Sequence, residues 1–372
     1  MDTWTIVNLV SDHSTETVLI KIINDVCLNS DSGKISVLVL QDLSAVFDTV
    51  DHNILLERLE NWVGLSGMVL KWFRSYLEGR GYYVSLGEHK TKWTSMTCGV
   101  PQGSILAPLL FSLYMLSQII RKIQIAYHSY GDDTQIYLAL SPNDYRPIDS
   151  LCQCTDEINS WMCQNFLQLN KEKTAVIAFG NKVLKVNAYL DFRALTTKNQ
   201  VRNLGVILET DLSFSSHVKA VTKPAYHHIK NIARIKCFVS SQDLEKLVHA
   251  FITSRADYCN GLLTGLPKKT IRQLQLIQNT AARILTKTRK SEHVTPVLRS
   301  SHWLPVTFRI DFKVLLLIYK SLNDLGPKYI ADMLTEYKPN RALRSLGSSQ
   351  LEMPRVHTKQ GESAFSYYAA RS

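Results

Sequence analysis

Long apolar runs are missing from this sequence. The longest, ILAPLLFSLYML, has 12 residues, too few to cross a hydrocarbon layer about 30 Å thick as a helix, so no membrane span is expected. The opening residues, MDTWTIVNLVSDHSTET, have no basic stretch leading into an apolar core and a small-residue cleavage site, so no secretory signal is expected either. Cysteine is sparse. Its seven copies (Cys27, Cys98, Cys152, Cys154, Cys163, Cys237 and Cys259) are odd in number and scattered, which disfavours a disulfide framework and favours a reducing intracellular setting, nucleus or cytoplasm. No cysteine and histidine set stands at zinc spacing, and no repeat or low-complexity tract interrupts the chain. What remains is an ordinary globular composition: 372 residues, 45% hydrophobic and 20% charged, enough for two or three domains with real cores.

Charge is unevenly distributed. Residues 1–218 carry 18 Lys and Arg against 22 Asp and Glu, net −4, whereas residues 219–372 carry 25 against 10, net +15. A strongly basic segment can follow a phosphate backbone, and a near-neutral neighbour is free to gather carboxylates around a metal.

Periodicity gives a coarse map. ISVLVLQD, residues 35–42, is a β-branched apolar run ending in an acid and predicts a buried central strand. NILLERLENWV then predicts a helix with Asp51 as its cap and Gly64 as its stop, and 67–78 predicts a second helix. An extended, turn-rich stretch, YYVSLGEHKTKWTSM, leads to the glycine corner CGVPQGS and an apolar helix over about 105–120. IQIAYHSYGDDTQIYLAL places apolar flanks around GDD, which predicts a β-hairpin with Asp132 and Asp133 at its tip. A helix over 150–166 and a strand in TAVIAFG complete a split β-α-β pattern, the signature of an α+β, ferredoxin-like antiparallel sheet with helices. VRNLGVILETDLSF is again extended. The basic part is mainly helical, with apolar stripes at Leu244, Leu247, Val248, Phe251 and Ile252 and at Leu274, Ile277, Ala281, Ile284 and Leu285.

Two carboxylate sites stand out, Asp42 at a strand end and the Asp132 and Asp133 pair at a hairpin tip. Neighbouring strands would bring them together, and clustered carboxylates repel unless cations neutralise them. Two Mg²⁺ ions about 3.5 to 4 Å apart would do so, and would suit in-line phosphoryl transfer from a 3′-hydroxyl with pyrophosphate leaving.

Five segments in order sharpen this expectation: VLVLQDLSAVFDTVDH at 37–52, GVPQGSILAPLLFSLYM at 99–115, YGDDTQIYL at 130–138, WMCQNFLQLNKEKTAVIAFG at 161–180 and NLGVILETDLSFSSHV at 203–218. Together they resemble the reverse transcriptase of non-LTR retrotransposons, the long interspersed elements, and the similarity continues through SHWLPVTFRIDFKVLLLIYKSLN. The resemblance implies a right-hand polymerase. Residues 1–34 would be a remnant of the fingers, 35–218 a palm with inserted fingers elements, 219–290 a helical thumb-like region and 291–372 a basic C-terminal region.

It also implies roles. Asp42, Asp132 and Asp133 would hold two Mg²⁺ ions, with Mn²⁺ as a substitute. Lys173 would protonate or stabilise the leaving pyrophosphate. Phe47 would lie under the sugar of the incoming deoxynucleoside triphosphate and exclude a ribose hydroxyl, with Gln102 and Gly103 against the same nucleotide. Asn203, Leu204 and Gly205 would grip the primer. Lys268, Lys269, Arg272, Arg283, Lys287, Arg289 and Lys290 would meet backbone phosphates. RNA template, DNA primer and deoxynucleotides are the implied partners, and RNA-directed DNA synthesis the implied activity. Departures from the family pattern include YGDD for the commoner YADD, Ala107 where glycine is usual and Ala175 where an acid is commoner. Few residues precede the first catalytic strand, so the fingers are expected to be incomplete and the chain to be a truncated copy. The alternative is a catalytically inactive relic that binds nucleic acid weakly or not at all. An RNA-directed RNA polymerase is disfavoured by Phe47.

Overall fold

The computed structural model describes residues 13–44, 47–101, 103–115, 125–130, 133–170, 172–180, 183–193, 195–337 and 350–371. Helix α1 (Thr15–Asp31) opens on a capping box, in which the Ser14 hydroxyl accepts from Thr17 N and Thr17 Oγ1 accepts from Ser14 N. β1 (Ile35–Gln41) follows, buried along its whole length, then the two-residue β2 (Leu43–Ser44). Asp51 caps α2 (His52–Asn61), accepting from Asn53 N at 2.9 Å and Ile54 N at 3.0 Å, and Gly64 beyond its end has φ +79°. α3 (Gly67–Leu77) leads into a ribbon of β3 (Gly81–Tyr82), β4 (Ser85–Leu86), β5 (His89–Lys90) and β6 (Thr94–Ser95), paired β3 with β6 and β4 with β5.

α4 (Ala107–Met115) carries the apolar run, and β7 (Ala126–Tyr130) and β8 (Asp133–Leu140) are the expected hairpin, closed by the antiparallel pair Tyr130 and Asp133. α5 (Arg146–Gln164) starts a turn earlier than its periodicity suggests, with Pro147 in the first turn, where its missing N–H costs nothing. β9 (Gln168–Leu169) and β10 (Ala175–Phe179) precede α6 (Val183–Phe192), a helix its sequence pattern did not announce. The main sheet has the order β10-β1-β8-β7. Asp42, the residue after β1, and Asp133, the first of β8, therefore belong to neighbouring strands.

The antiparallel hairpin β11 (Gln200–Asn203) and β12 (Val206–Glu209) precedes the helices α7 (Ser215–Ile235), α8 (Ser241–Val248), α9 (Lys268–Thr286), α10 (Val294–Ser300) and α11 (Val306–Leu322). Both expected stripes are in their core, where Ile229, Leu244, Val248, Ile252, Ile277, Ala281 and Trp303 pack together. Phe251 is the exception, 40% exposed and stacked on His228. A π-helical turn over His249–Thr253 lengthens the hydrogen-bond step there and moves the residue out of the stripe.

Two compact units result. One holds 37–176 and 184–197, and the other holds 13–36, 177–183 and 198–371. α1 thus packs within the helical unit, where Asn24 Oδ1 accepts from Ser366 N at 3.0 Å and Asp31 Oδ1 from His357 N at 2.8 Å. Among the described residues, no helix is long and apolar enough to cross a membrane.

Candidate active site and nucleic-acid interface

A very short ladder positions the first carboxylate. Leu43 pairs with Leu169 and Ser44 with Gln168, while the Asp42 carbonyl accepts from Asn170 N at 2.8 Å. Asn170 then organises the next turn: its side chain accepts from Lys173 N and its carbonyl from Thr174 N. Through this turn Lys173 Nζ reaches 2.9 Å from Asp42 Oδ2, pairing a side chain 66% exposed with one only 18% exposed. The contact lacks hydrogen-bond geometry, so Oδ2 is shielded from solvent without a hydrogen bond. An anionic oxygen shielded at a strand end, here beside an ammonium, is chemically suited to a cation. Asp132 lies outside the described residues. Among those described, no group of three His, Cys, Asp or Glu gathers as a metal-holding cluster.

The glycine corner is clipped to the segment after Asp42. Val100 N donates to Phe47 O at 2.6 Å, Gly99 N to Val50 O at 2.8 Å, and His52 Nε2 lies 2.8 Å from Gly99 O. Gly99 has φ +92°, and a side chain there would bring its Cβ to 3.2 Å from the Asp48 carbonyl, so only glycine fits without strain. Phe47 is half-buried, its ring edge-on to Phe111 with centroids 5.8 Å apart. Gly103 is exposed at φ +79° with open space around it, and Gln102 lies outside the described residues.

Behind these segments Arg58 is buried, donating to the Tyr114 carbonyl and to Asn165 Oδ1. Its guanidinium sits 4.8, 4.4 and 5.3 Å from the rings of Trp62, Tyr114 and Trp161. Burial lowers its proton affinity below the ordinary value, opposed by Tyr114 and Glu57. Sequence reasoning missed this residue, because nothing in LLERLEN distinguishes a buried arginine from an exposed one.

It also missed an aromatic surface on α3 and the ribbon. Trp72, Tyr82, Tyr83 and Trp93 are all exposed. Trp72 stacks on Tyr76 with centroids 5.6 Å apart, Arg80 lies over Tyr76 at 4.8 Å and Lys90 over Tyr83 at 5.2 Å. Gly81 leaves room for the Trp93 ring, which a Cβ would meet at 2.6 Å. Exposed rings interleaved with cations can stack on unpaired bases. The signal was present in GYYVSLGEHKTKW, where aromatics and lysines share a short extended stretch.

In the helical unit, Leu204 (φ +44°) and Gly205 (φ +82°) form the two-residue turn of the β11–β12 hairpin. Tyr258 braces it, its hydroxyl donating to Leu204 O at 2.7 Å and its ring leaving space for glycine alone at 205. Asn203 is buried, with Nδ2 lacking a hydrogen-bond partner among the described residues. His217 Nδ1 accepts from Ile207 N at 3.4 Å, and burial, then Arg202, pull its pKa below the usual 6.5. Glu209 accepts from Ser213 Oγ, Ser216 Oγ and Ser216 N at the start of α7; burial works against ionisation, but these bonds outweigh it and lower its pKa.

The basic residues form two groups. Lys268, Lys269 and Arg272 are exposed in the first turns of α9, and Lys287, Arg289 and Lys290 are exposed beyond its end, roughly 27 Å away along a helix rising about 1.5 Å per residue. Arg283 is half-buried and donates to Glu292 O at 2.9 Å.

A small sheet with its hairpin and flanking helices, followed by a long helical region, defines a polymerase palm-and-thumb class of fold. The family model described as reverse transcriptase (RNA-dependent DNA polymerase) matches residues 3–208, and this chain belongs to that family. It is 25% identical over 290 residues to the probable RNA-directed DNA polymerase from transposon BS of Drosophila melanogaster, covering 74% of this chain and 31% of that protein. It is also 25% identical over 214 residues to the RNA-directed DNA polymerase from mobile element jockey of the same species, covering 55% of this chain and 23% of the relative. The chain thus spans about a third or less of the length of the curated relatives it matches. Among solved structures, apo telomerase from Candida tropicalis is 13% identical over 87% of this chain and 57% of that one, with a TM-score of 0.41, a likeness too distant to bear on the fold.

Proposed function

We propose that this chain is the palm and thumb portion of a retrotransposon reverse transcriptase of the LINE type, that it binds nucleic acid, and that it performs little or no templated synthesis by itself. The observation that supports this reading is the Lys173 ammonium, which already balances the half-buried Asp42 carboxylate. Binding would use two chemistries: stacking of unpaired bases on Trp72, Tyr83 and Trp93, and phosphate attraction by Lys268, Lys269, Arg272, Lys287, Arg289 and Lys290, with Arg283 contributing less because Glu292 O engages it.

A second reading, RNA-directed DNA polymerase, is favoured by Asp42 Oδ2, which is shielded from solvent and makes no hydrogen bond among the described residues. Asp42, Asp132 and Asp133 would hold Mg²⁺, or Mn²⁺, which when bound would activate the primer 3′-hydroxyl and neutralise charge on the departing pyrophosphate. Lys173, whose side chain is 66% exposed, would give up Asp42 to the metal and would then stabilise the developing phosphate charge. Phe47 would bar a ribose hydroxyl by its bulk, Gln102 and Gly103 would line the nucleotide, and Asn203, Leu204 and Gly205 would steady the primer end of an RNA–DNA duplex.

Primer extension on an RNA template with Mg²⁺ separates the two. The expected result is incorporation indistinguishable from that of an Asp42→Asn chain, with template binding intact. Incorporation that Asp42→Asn abolishes, and that Lys173→Ala lowers by about 10²-fold, would establish the polymerase reading instead.

A further inference from the structure

Helix α11 has two apolar faces. Val306, Ile310, Val314 and Ile318 are buried in the helical unit. The opposite side carries Phe308, Phe312, Leu315, Tyr319 and Leu322, exposed by 59, 59, 48, 60 and 37%. Their steps of four, three, four and three residues are the heptad spacing with which one helix offers knobs to the holes of another. Leu304 and Leu325 extend the stripe at its ends, and both are about half exposed.

Three of the charges beside the stripe are engaged within the chain. Arg309 pairs with Asp257, Asp311 accepts from the Tyr368 hydroxyl at 2.6 Å, and Lys313 lies 3.1 Å from Glu16. A phosphate backbone would find Arg309 and Lys313 already neutralised, whereas an apolar helix could cover the stripe with these charges still paired. With aromatic side chains of about 150 to 250 Å² each, the stripe and its ends expose on the order of 700 Å² of largely apolar surface, close to the roughly 800 Å² that each partner of a standard interface buries. Patches of this size are uncommon on monomers.

We propose that this stripe is a homodimer interface, in which α11 packs antiparallel against α11 of a second copy about a two-fold axis between residues 312 and 315. In that register Phe312 faces Leu315 and Phe308 faces Tyr319, and Leu322 of each copy meets the start of the other's helix at Pro305. Each bulky ring meets a different residue, so the helices keep an even separation; a parallel pair would oppose Phe308 and Phe312 to themselves and splay one end. The two-fold makes the contact self-limiting.

Sedimentation of the full chain tests the proposal. The wild type should be dimeric at micromolar concentration, and Leu315→Lys and Phe312→Glu should each weaken the dimer at least about tenfold without changing the far-ultraviolet circular dichroism or the thermal unfolding of the monomer. An equimolar mixture of Leu315→Lys and Phe312→Glu chains should dimerise more tightly than either alone, because the antiparallel register sets the new lysine against the new glutamate in one layer and leaves the other layer native. A wild-type chain that stays monomeric at about 50 μM, well above a micromolar dissociation constant, would overturn the proposal. So would a mixture that recovers nothing, which would exclude this register. Loss of RNA affinity in Leu315→Lys, with the wild type monomeric, would instead make the stripe a nucleic-acid surface.

Discussion

The two units differ in where they leave polar groups unsatisfied. In the sheet-bearing unit, Gln41 Oε1, Asp42 Oδ2, both amide atoms of Gln135 and Asn187 Oδ1 are buried without hydrogen bonds among the described residues. All but Asn187, which is on α6, sit on β1, just after it, and on its neighbour β8, where Asp42 and Asp133 lie. In the helical unit the comparable atoms, Asn203 Nδ2, Asn260 Oδ1, Arg283 Nε and Ser366 Oγ, are distributed over separate elements. Polar cost concentrated beside a candidate site marks a region shaped for something other than stability. The helical unit is built on simple apolar stripes, and its charge lies outside the core, as a surface for binding requires.

The sharpest way to break this contrast is to remove Arg58. Arg58→Ala strands the Tyr114 carbonyl and Asn165 Oδ1 and empties the space between three aromatic rings, at a cost of about 3 to 5 kcal/mol. Hydrogen exchange should show protection lost in α2, α4 and α5 and retained in α9; equal loss in both would mean that the units do not unfold separately. A smaller effect, of opposite sign, is expected from Gln135→Met. Replacing two unpartnered buried amide atoms with an apolar side chain of similar length should raise stability by about 1 kcal/mol, read from the denaturant midpoint. Destabilisation would show that Gln135 has a partner in solution.

The smallest effect is a pH dependence of the helical unit. His217 must be neutral at Nδ1 to accept from Ile207 N, and its folded pKa lies below the usual 6.5. The unfolded chain therefore binds the proton first as pH falls, so stability is full above about pH 6.5 and declines below it, until the folded pKa is passed. His217→Gln should flatten the melting temperature between pH 7 and pH 5; an unchanged slope would assign the effect elsewhere.

Much of the fold was legible because it depends on local pattern. The β-branched run at 35–41, the apolar strands flanking GDD, the Asp51 cap and the Leu274, Ile277 and Ala281 stripe all declare themselves within a few residues. α1 and α6 did not, since TETVLIKIINDVCLNSD mixes β-branched residues into a helix with little exposed face. The approach of Lys173 to Asp42 depends on a two-residue ladder between segments more than 120 positions apart, and no periodicity encodes that. Family resemblance singled out the two residues; packing alone supplies the reason they meet. Arg58 and the aromatic ribbon escaped notice because burial and exposure are decided by distant parts of the chain.

Salt titration of nucleic-acid binding tests most directly the claim that the units contribute different chemistries. Single-stranded RNA should bind the full chain with an affinity that falls steeply with salt. The Lys268→Ala, Lys269→Ala, Arg272→Ala chain should lose about 0.7 from the slope of log affinity against log salt for each phosphate contact removed. Trp72→Ala with Trp93→Ala should lose about 1 to 3 kcal/mol per stacked base with the slope unchanged. Identical salt slopes for the wild-type and lysine-depleted chains, or a slope change in the tryptophan variant, would contradict the account.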